Sequence, residues 1–136
     1  MTLLVTGASG HLGRLVVEAL IARGTPAAEV VATARRPEAV SDLAERGVQV
    51  RRADYTDPAS LDAALDGVDR LLLVSGSEVG QRTAQHANVI EAAKRAGVSF
   101  VAYTSITLVD NATLLGRALA RNGAVSLGTG NTITLP

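Results

Sequence analysis

Leu3-Leu4-Val5-Thr6-Gly7-Ala8-Ser9-Gly10-His11-Leu12-Gly13 decides how the rest of the chain is read. A short apolar run leads directly into glycines at 7, 10 and 13. Leu15, Val16, Ala19 and Leu20 then recur at helical spacing, with Ala22 closing the pattern. The order is strand, tight turn, helix. Such a turn lies at a helix N-terminus, where unpaired backbone N–H groups and the positive end of the dipole favour an anion. Glycine permits φ > 0 and a close approach of backbone to phosphate, and both are expected of Gly10. Gly13 is expected to let the helix pack tightly on the strand. The spacing G-x-x-G-x-x-G departs from the G-x-G-x-x-G dinucleotide fingerprint, and a plain strand-to-helix turn uses the same residues. The position after a strand and before a helix favours the dinucleotide reading.

Working outward, Thr2–Thr6 reads as a first strand and His11–Ala22 as a helix ending at Gly24. Val30-Val31-Ala32-Thr33 is apolar enough for a strand covered on both faces. Pro37 opens a helix that runs to Arg46, with Gly47 in the C-cap place. Val48-Gln49-Val50 is a third strand. Asp57-Pro58 is a helix start, with Asp as N-cap and Pro at the first helical position; this helix stops at Gly67. Leu71–Val74 is a fourth strand, Val79–Ala96 a long helix, and Val98–Tyr103 a fifth strand. Strands alternating with helices specify an α/β fold with a parallel sheet and helices on both faces. Right-handed crossovers give a doubly wound, Rossmann-like order 3-2-1-4-5, with the ligand crevice at the carboxyl ends of the first and fourth strands. Beyond Ser105 the pattern loosens. Leu114, Leu115, Ala118 and Leu119 could form a short helix stopped by Gly123, and Val125–Leu135, rich in Gly and Thr with alternation at Thr132-Ile133-Thr134-Leu135, a hairpin or edge strand.

The chain has 136 residues, a length suited to one domain with a single core. We expect residues 1–110 to form the nucleotide-binding domain and 111–136 an atypical tail on the same domain. Formal net charge is zero, and aromatic residues make up 2% of the chain. Neither bulk attraction nor stacking platforms for nucleic acid are therefore expected. There is no cysteine and there are two histidines, so neither a thiol nucleophile nor a His/Cys metal site is expected. No apolar run reaches the roughly 18 residues of a membrane span. The first residues lack the basic region of a secretory signal, making the cytoplasm the expected location. An open sheet edge would allow a homodimer.

The end of the second strand selects the cofactor. A NAD site places Asp or Glu there, roughly 20 residues beyond the glycines, to accept from the ribose 2′-OH. Here Ala34-Arg35-Arg36-Pro37 stands instead. A guanidinium fork suits a 2′-phosphate, hence NADPH; the alternative is a solvated arginine pair. Asp54, after the third strand, could accept from an adenine amino group or simply close a turn. Ser75-Gly76-Ser77 follows the fourth strand, where small residues leave room for ribose and nicotinamide; Ser77 could equally cap a helix. His86, inside the long helix, reads as a packed or solvated histidine. Tyr55 and Tyr103 are each followed four residues later by Ala59 and Thr107. The Tyr–Lys proton relay of ketone-reducing short-chain dehydrogenases is therefore missing, and no catalytic side chain can be named.

Val5–Gly13, Val31–Pro37 and Ala53-Asp54-Tyr55 resemble NmrA-like, atypical short-chain dehydrogenases. The segments Leu71–Arg82, Gln85–Ile90 and Phe100–Ser105 are similar to NADPH-dependent quinone oxidoreductases of that group. The resemblance covers Met1–Asp110. It implies NADPH held by Gly7, Ala8, Ser9, Gly10, His11, Leu12, Arg35 and Ser75–Ser77, with hydride passing to a small-molecule quinone. A quinone becomes aromatic on reduction, so positioning could serve where a proton relay is lacking. NmrA-like proteins also include dinucleotide sensors that do not catalyse, which is the alternative reading. The family continues past the fifth strand into a substrate-covering half. The Gly/Thr-rich tail of this sequence does not match that half, which is expected to be lacking.

Overall fold

The computed structural model describes residues 1–76 and 80–104, together with strands 106–108, 113–115, 125–127 and 132–134. It divides into two compact units, Met1–Ala102 and Tyr103–Pro136. In the first, the chain runs β1 (Leu3–Val5), α1 (His11–Ala22), β2 (Val30–Ala34), α2 (Ser41–Glu45), β3 (Gln49–Arg52), α3 (Pro58–Leu65), β4 (Arg70–Leu73), α4 (Arg82–Arg95) and β5 (Phe100–Tyr103). The sheet order is β3-β2-β1-β4-β5, the expected doubly wound arrangement. β1 is parallel to both β2 and β4, with Val5 opposite Ala32 and Leu72, and β2 is parallel to β3.

Alternation along these strands sorts the core into two layers. Val5, Val30, Ala32 and Ala34 cluster with Val17 of α1 and Leu43 of α2, all of them buried. Ion pairs from Arg14 to Asp42 and from Arg46 to Glu18 join α1 and its α2 neighbour at the surface. By the pleat, Leu4, Val31 and Leu71 point to the opposite face, where buried Leu61, Leu65 and Val89 of α3 and α4 lie.

Local chemistry sets most boundaries. The Asp57 side chain accepts from Ser60 N–H with Pro58 at the first position, as expected for the start of α3. Arg51 closes its other end, donating to Ala64 O and Asp66 O at 2.8 Å each. The helix expected from Pro37 to Arg46 is instead a 3-10 turn, Pro37–Val40, followed by α2. Val40 is fully buried with φ −127, so the chain breaks helical geometry there to reach the core. The long helix begins later than expected because Gly80 takes φ +83; residues 77–79 lie outside the described ones.

In the second unit, β6 (Ile106–Leu108) is parallel to β8 (Val125–Leu127), and β7 (Thr113–Leu115) is parallel to β9 (Thr132–Thr134). Leu114 and Leu115 thus belong to a strand and not to the expected helix; a two-residue apolar pair fits either period. Ala118, Leu119 and Gly123 lie outside the described residues. Strands at 125–127 and 132–134 are present, but each is parallel to a different partner in a separate sheet, so the expected hairpin over Val125–Leu135 is not formed.

Candidate functional site

The pairing of β1 and β4 ends with Thr6, whose N–H donates to Leu72 O at 3.1 Å, and a cleft of about 340 Å³ opens at their carboxyl ends. Its walls come from four strand ends: Gly7, Ser9 and Gly10 after β1, Ala34 and Arg35 at β2, Ala53–Thr56 after β3, and Val74–Gly76 after β4. Gln85 of α4 completes it. This is the switch point, where an open α/β sheet binds its ligands.

The glycine turn divides its labour differently from expectation. Gly7 has φ +63, whereas Gly10 is extended at φ −86 and ψ 169. The left-handed requirement therefore sits at Gly7, and Gly10 serves as the N-cap of α1. With no side chain capping α1, its first-turn N–H groups at His11 and Leu12 have no intrahelical partner. Arg14 N–H, donating to Gly10 O at 3.2 Å, makes the first helical bond. A Cβ on Gly13 would stand 2.4 Å from Gly7 O, so Gly13 is what allows α1 to seat on the turn. Ala8 is fully buried and its N–H donates to Thr33 O at 2.8 Å. It shapes the turn from behind, while Ser9 and Gly10 face the cleft. His11 and Leu12 are exposed beside it.

At the β2 side, Arg35 is exposed on the cleft wall with Asp54 near it. Asp54 Oδ1 accepts from Thr56 N–H at 2.9 Å and Thr56 Oγ1 at 2.7 Å. Those bonds, followed by the charges of Arg52 and Arg35, hold its carboxyl below the usual range. Arg36 is exposed and does not line the cleft. Ser75 and Gly76 lie on the β4 side; Ser77 lies outside the described residues.

Thr6, Tyr55 and Gln85 carry no site role in the sequence, and His86 reads there only as packed or solvated. Thr6 is buried, and its Oγ1 accepts from Val74 N–H at 2.8 Å. Tyr55 Oη lies 2.6 Å from that Oγ1 and 2.8 Å from Val74 O. Since Val74 O can only accept, it takes the Tyr55 proton and Thr6 closes the remaining contact. Gln85 lines the cleft. His86 is 5% exposed, with Nε2 accepting from Gly76 N–H at 3.0 Å and its ring edge-on to Tyr55. Burial, then the charge of Arg82, pushes its pKa down, in the same direction as a ring nitrogen that accepts a hydrogen bond. Of the two alternatives, packed or solvated, the packed one is found, with the ring against the cleft wall at Gly76. The signal for these contacts was absent because each joins residues far apart in sequence.

Among the described residues no group of three His, Cys, Asp or Glu could hold a metal, and no helix is long and apolar enough to cross a membrane.

Residues 7–124 match the family described as NAD(P)H-binding. Quinone oxidoreductase 2 of Escherichia coli is 53% identical over 110 residues, 81% of this chain and 38% of that protein. Its crystal structure with NADPH superposes with a TM-score of 0.73 over 77% of this chain and 37% of that one. Citrobacter triphenylmethane reductase, complexed with NADP(H), gives a TM-score of 0.74 at 44% identity, covering 78% of this chain and 38% of that one. An NmrA-like family domain-containing oxidoreductase of Aspergillus flavus is 40% identical over 110 residues, 78% of this chain and 36% of the relative. The chain thus spans less than two fifths of the length of these relatives.

Proposed function

The chain belongs to the NAD(P)H-binding family, and from that premise we propose that it binds NADPH in the cleft and serves hydride transfer to a quinone. The observation that carries the reading is one cleft joining an uncapped glycine turn to Arg35, with no acid at the end of β2. The donors fit the group. First-turn N–H groups of α1 suit a pyrophosphate, with Ser9 and Gly10 beside it and Gly7, Ala8 and Gly13 shaping the turn. Arg35 suits a 2′-phosphate. Asp54, its carboxyl held by Thr56, is placed to accept from an adenine amino group. Ser75 and Gly76 border the nicotinamide half, with Ser77 next in sequence.

When bound, NADPH supplies a hydride. The chain supplies position: the glycine turn and Arg35 fix one end of the ligand, and the Val74–Gly76 backbone forms the wall at the other. Quinone oxidoreductase 2 is so named for its acceptor, and 53% identity brings quinones forward as the acceptor class. We expect the chain to act in the cytoplasm as a soluble protein, with a homodimer the simplest assembly. Calorimetric titration with NADPH, followed by NADPH-dependent quinone reduction, tests the reading. Binding with turnover supports it in full. Binding without turnover favours a sensor of the NmrA-like kind, and no binding refutes the cofactor assignment.

A further inference from the structure

Val74-Ser75-Gly76 is where β4 has ended and the sheet no longer dictates the backbone. A segment of this kind normally gives its N–H and C=O groups to water or to a ligand. Here they are taken by side chains. Val74 N–H donates to Thr6 Oγ1 at 2.8 Å, Val74 O accepts from Tyr55 at 2.8 Å, and Gly76 N–H donates to His86 Nε2 at 3.0 Å. The three side chains come from three places: the end of β1, the loop after β3, and α4. Two of them brace each other, with the Tyr55 and His86 rings 5.9 Å apart and edge-to-face. The Tyr55 loop is itself anchored, since Asn88 of α4 donates to Tyr55 O at 2.9 Å.

We propose that Tyr55 and His86 are positioning residues for the nicotinamide half of the dinucleotide, holding the Val74–Gly76 backbone open before the ligand arrives. The inference rests on the NADPH reading and deepens it. A wall already set in its bound shape spares the ligand the cost of ordering it. Neither side chain needs to touch the reacting atoms. Gly76 packs against the brace: a Cβ there would stand at ordinary contact distance from Gln85 Oε1 (3.4 Å), His86 Nε2 (3.8 Å) and the Tyr55 ring (3.9 Å). The wall and its brace are thus in near contact, and loss of the brace leaves a polar N–H without its acceptor and a gap where the imidazole stood. The adenosine half has its own supports: Ser9 and Arg35 stand on other strand ends, and Asp54, although next to Tyr55 in the loop after β3, is held by its bonds from Thr56.

Those separate supports supply the test. Adenosine 2′,5′-bisphosphate occupies only the adenosine half, whereas NADPH needs both. The 136-residue chain and its His86→Leu, His86→Gln and Tyr55→Phe variants are titrated with each ligand by calorimetry. His86→Leu and Tyr55→Phe should bind NADPH roughly tenfold more weakly, as expected when a half-buried partner is left unpaired. Their affinity for the bisphosphate should stay within about twofold of wild type, by the independence of separated sites. His86→Gln, whose Oε1 can accept from Gly76, should recover most of the NADPH affinity. Equal weakening of both ligands would mean a merely structural role and overturn the proposal, as would undiminished NADPH binding in His86→Leu. If His86→Leu does not fold, Tyr55→Phe decides on the same comparison. Wild type that binds neither ligand refutes the dinucleotide reading itself, and the positioning proposal falls with it. Wild type that binds both, with indifferent variants, refutes only the positioning.

Discussion

Replacing Gly13 by alanine should destabilise the fold, although alanine is the better helix former. At an open helical position the exchange gains up to about 1 kcal/mol. At Gly13 the new Cβ would stand 2.4 Å from Gly7 O, 2.7 Å from Gly7 C and 2.9 Å from Thr6 O. All three are backbone atoms of the turn itself. Ordinary contact begins at 3.4 Å, so helix and turn must separate by about 1 Å. The turn cannot yield freely, because Thr6 N–H is bonded to Leu72 O at 3.1 Å and Ala8 N–H to Thr33 O at 2.8 Å. Overpacking costs about 1–3 kcal/mol, and backbone neighbours place this case at the upper end. The net loss is about 2 kcal/mol, which for a chain of this size lowers Tm by roughly 8 °C. Thermal melting by circular dichroism measures it, with Gly10→Ala as the comparison. Gly10 has φ −86 and its Cβ would meet only Gly7 O at 3.3 Å, so that variant should lose less than about 1 kcal/mol. A Gly13→Ala protein as stable as wild type, or a Gly10→Ala protein that melts lower, would refute the division of labour within the turn.

Arg35→Ala should weaken NADPH binding roughly ten- to a hundredfold, because a charge-assisted bond to the 2′-phosphate is worth about 1.5–3 kcal/mol. NADH affinity, titrated in parallel, should barely change; equal losses for both would make Arg35 an ordinary surface charge. Arg51→Met removes both bonds to the α3 carbonyls and should cost about 1–2 kcal/mol, read as a lower urea midpoint at unchanged slope. The folded pKa of His86 lies below the ordinary 6.5, so the unfolded chain binds the proton more readily. Its contribution to stability is therefore complete above about 6.5 and lost as pH falls from there toward the lowered folded value. Wild type should lose more Tm between pH 7.5 and 5 than His86→Gln does, and parallel pH profiles would count against it.

The sheet order was readable because every element of the first unit carries a local signal. Asp57-Pro58 opens a helix through its own side chain, and the apolar run Val30–Thr33 reports a strand buried on both faces. The places of the glycine turn and of Arg35 at the ends of β1 and β2 were readable for the same reason, since a motif is a local object. Errors arose where tertiary demand overrode local preference. Val40 must enter the core and breaks a helix that Pro37 had opened. Gly10 resembles a residue chosen for positive φ, yet Gly7 performs that function. In the tail, the pair Leu114–Leu115 is too short to set a period. Thr6, Tyr55 and His86 were beyond reach because their roles exist only between elements: Thr6 and Val74 meet across 68 residues, and Tyr55 and Thr6 across 49.

This contrast divides the cleft itself. The end that would hold adenosine and pyrophosphate is built from short local segments at the ends of β1, β2 and β3, and on the proposed reading its selectivity comes from placement, because the chain as a whole has no net charge to attract an anion. Arg35 and Asp54 stand close enough for the guanidinium to lower the carboxyl pKa, so the two charges partly cancel until a ligand separates their tasks. A phosphate on Arg35 removes part of what stabilises the Asp54 anion, but the Thr56 bonds, which are the larger cause, remain. On the proposed reading, Asp54 thus keeps a lowered pKa and can accept from an amino group while Arg35 holds a phosphate. The opposite end depends on side chains converging from β1, the loop after β3, and α4, and so on the whole sheet being assembled. A substitution in the core beneath Leu4 or Leu71 should therefore reach the nicotinamide half before it reaches the adenosine half. The first is held by packing, and the second by a turn whose geometry Gly7 and Gly13 fix locally.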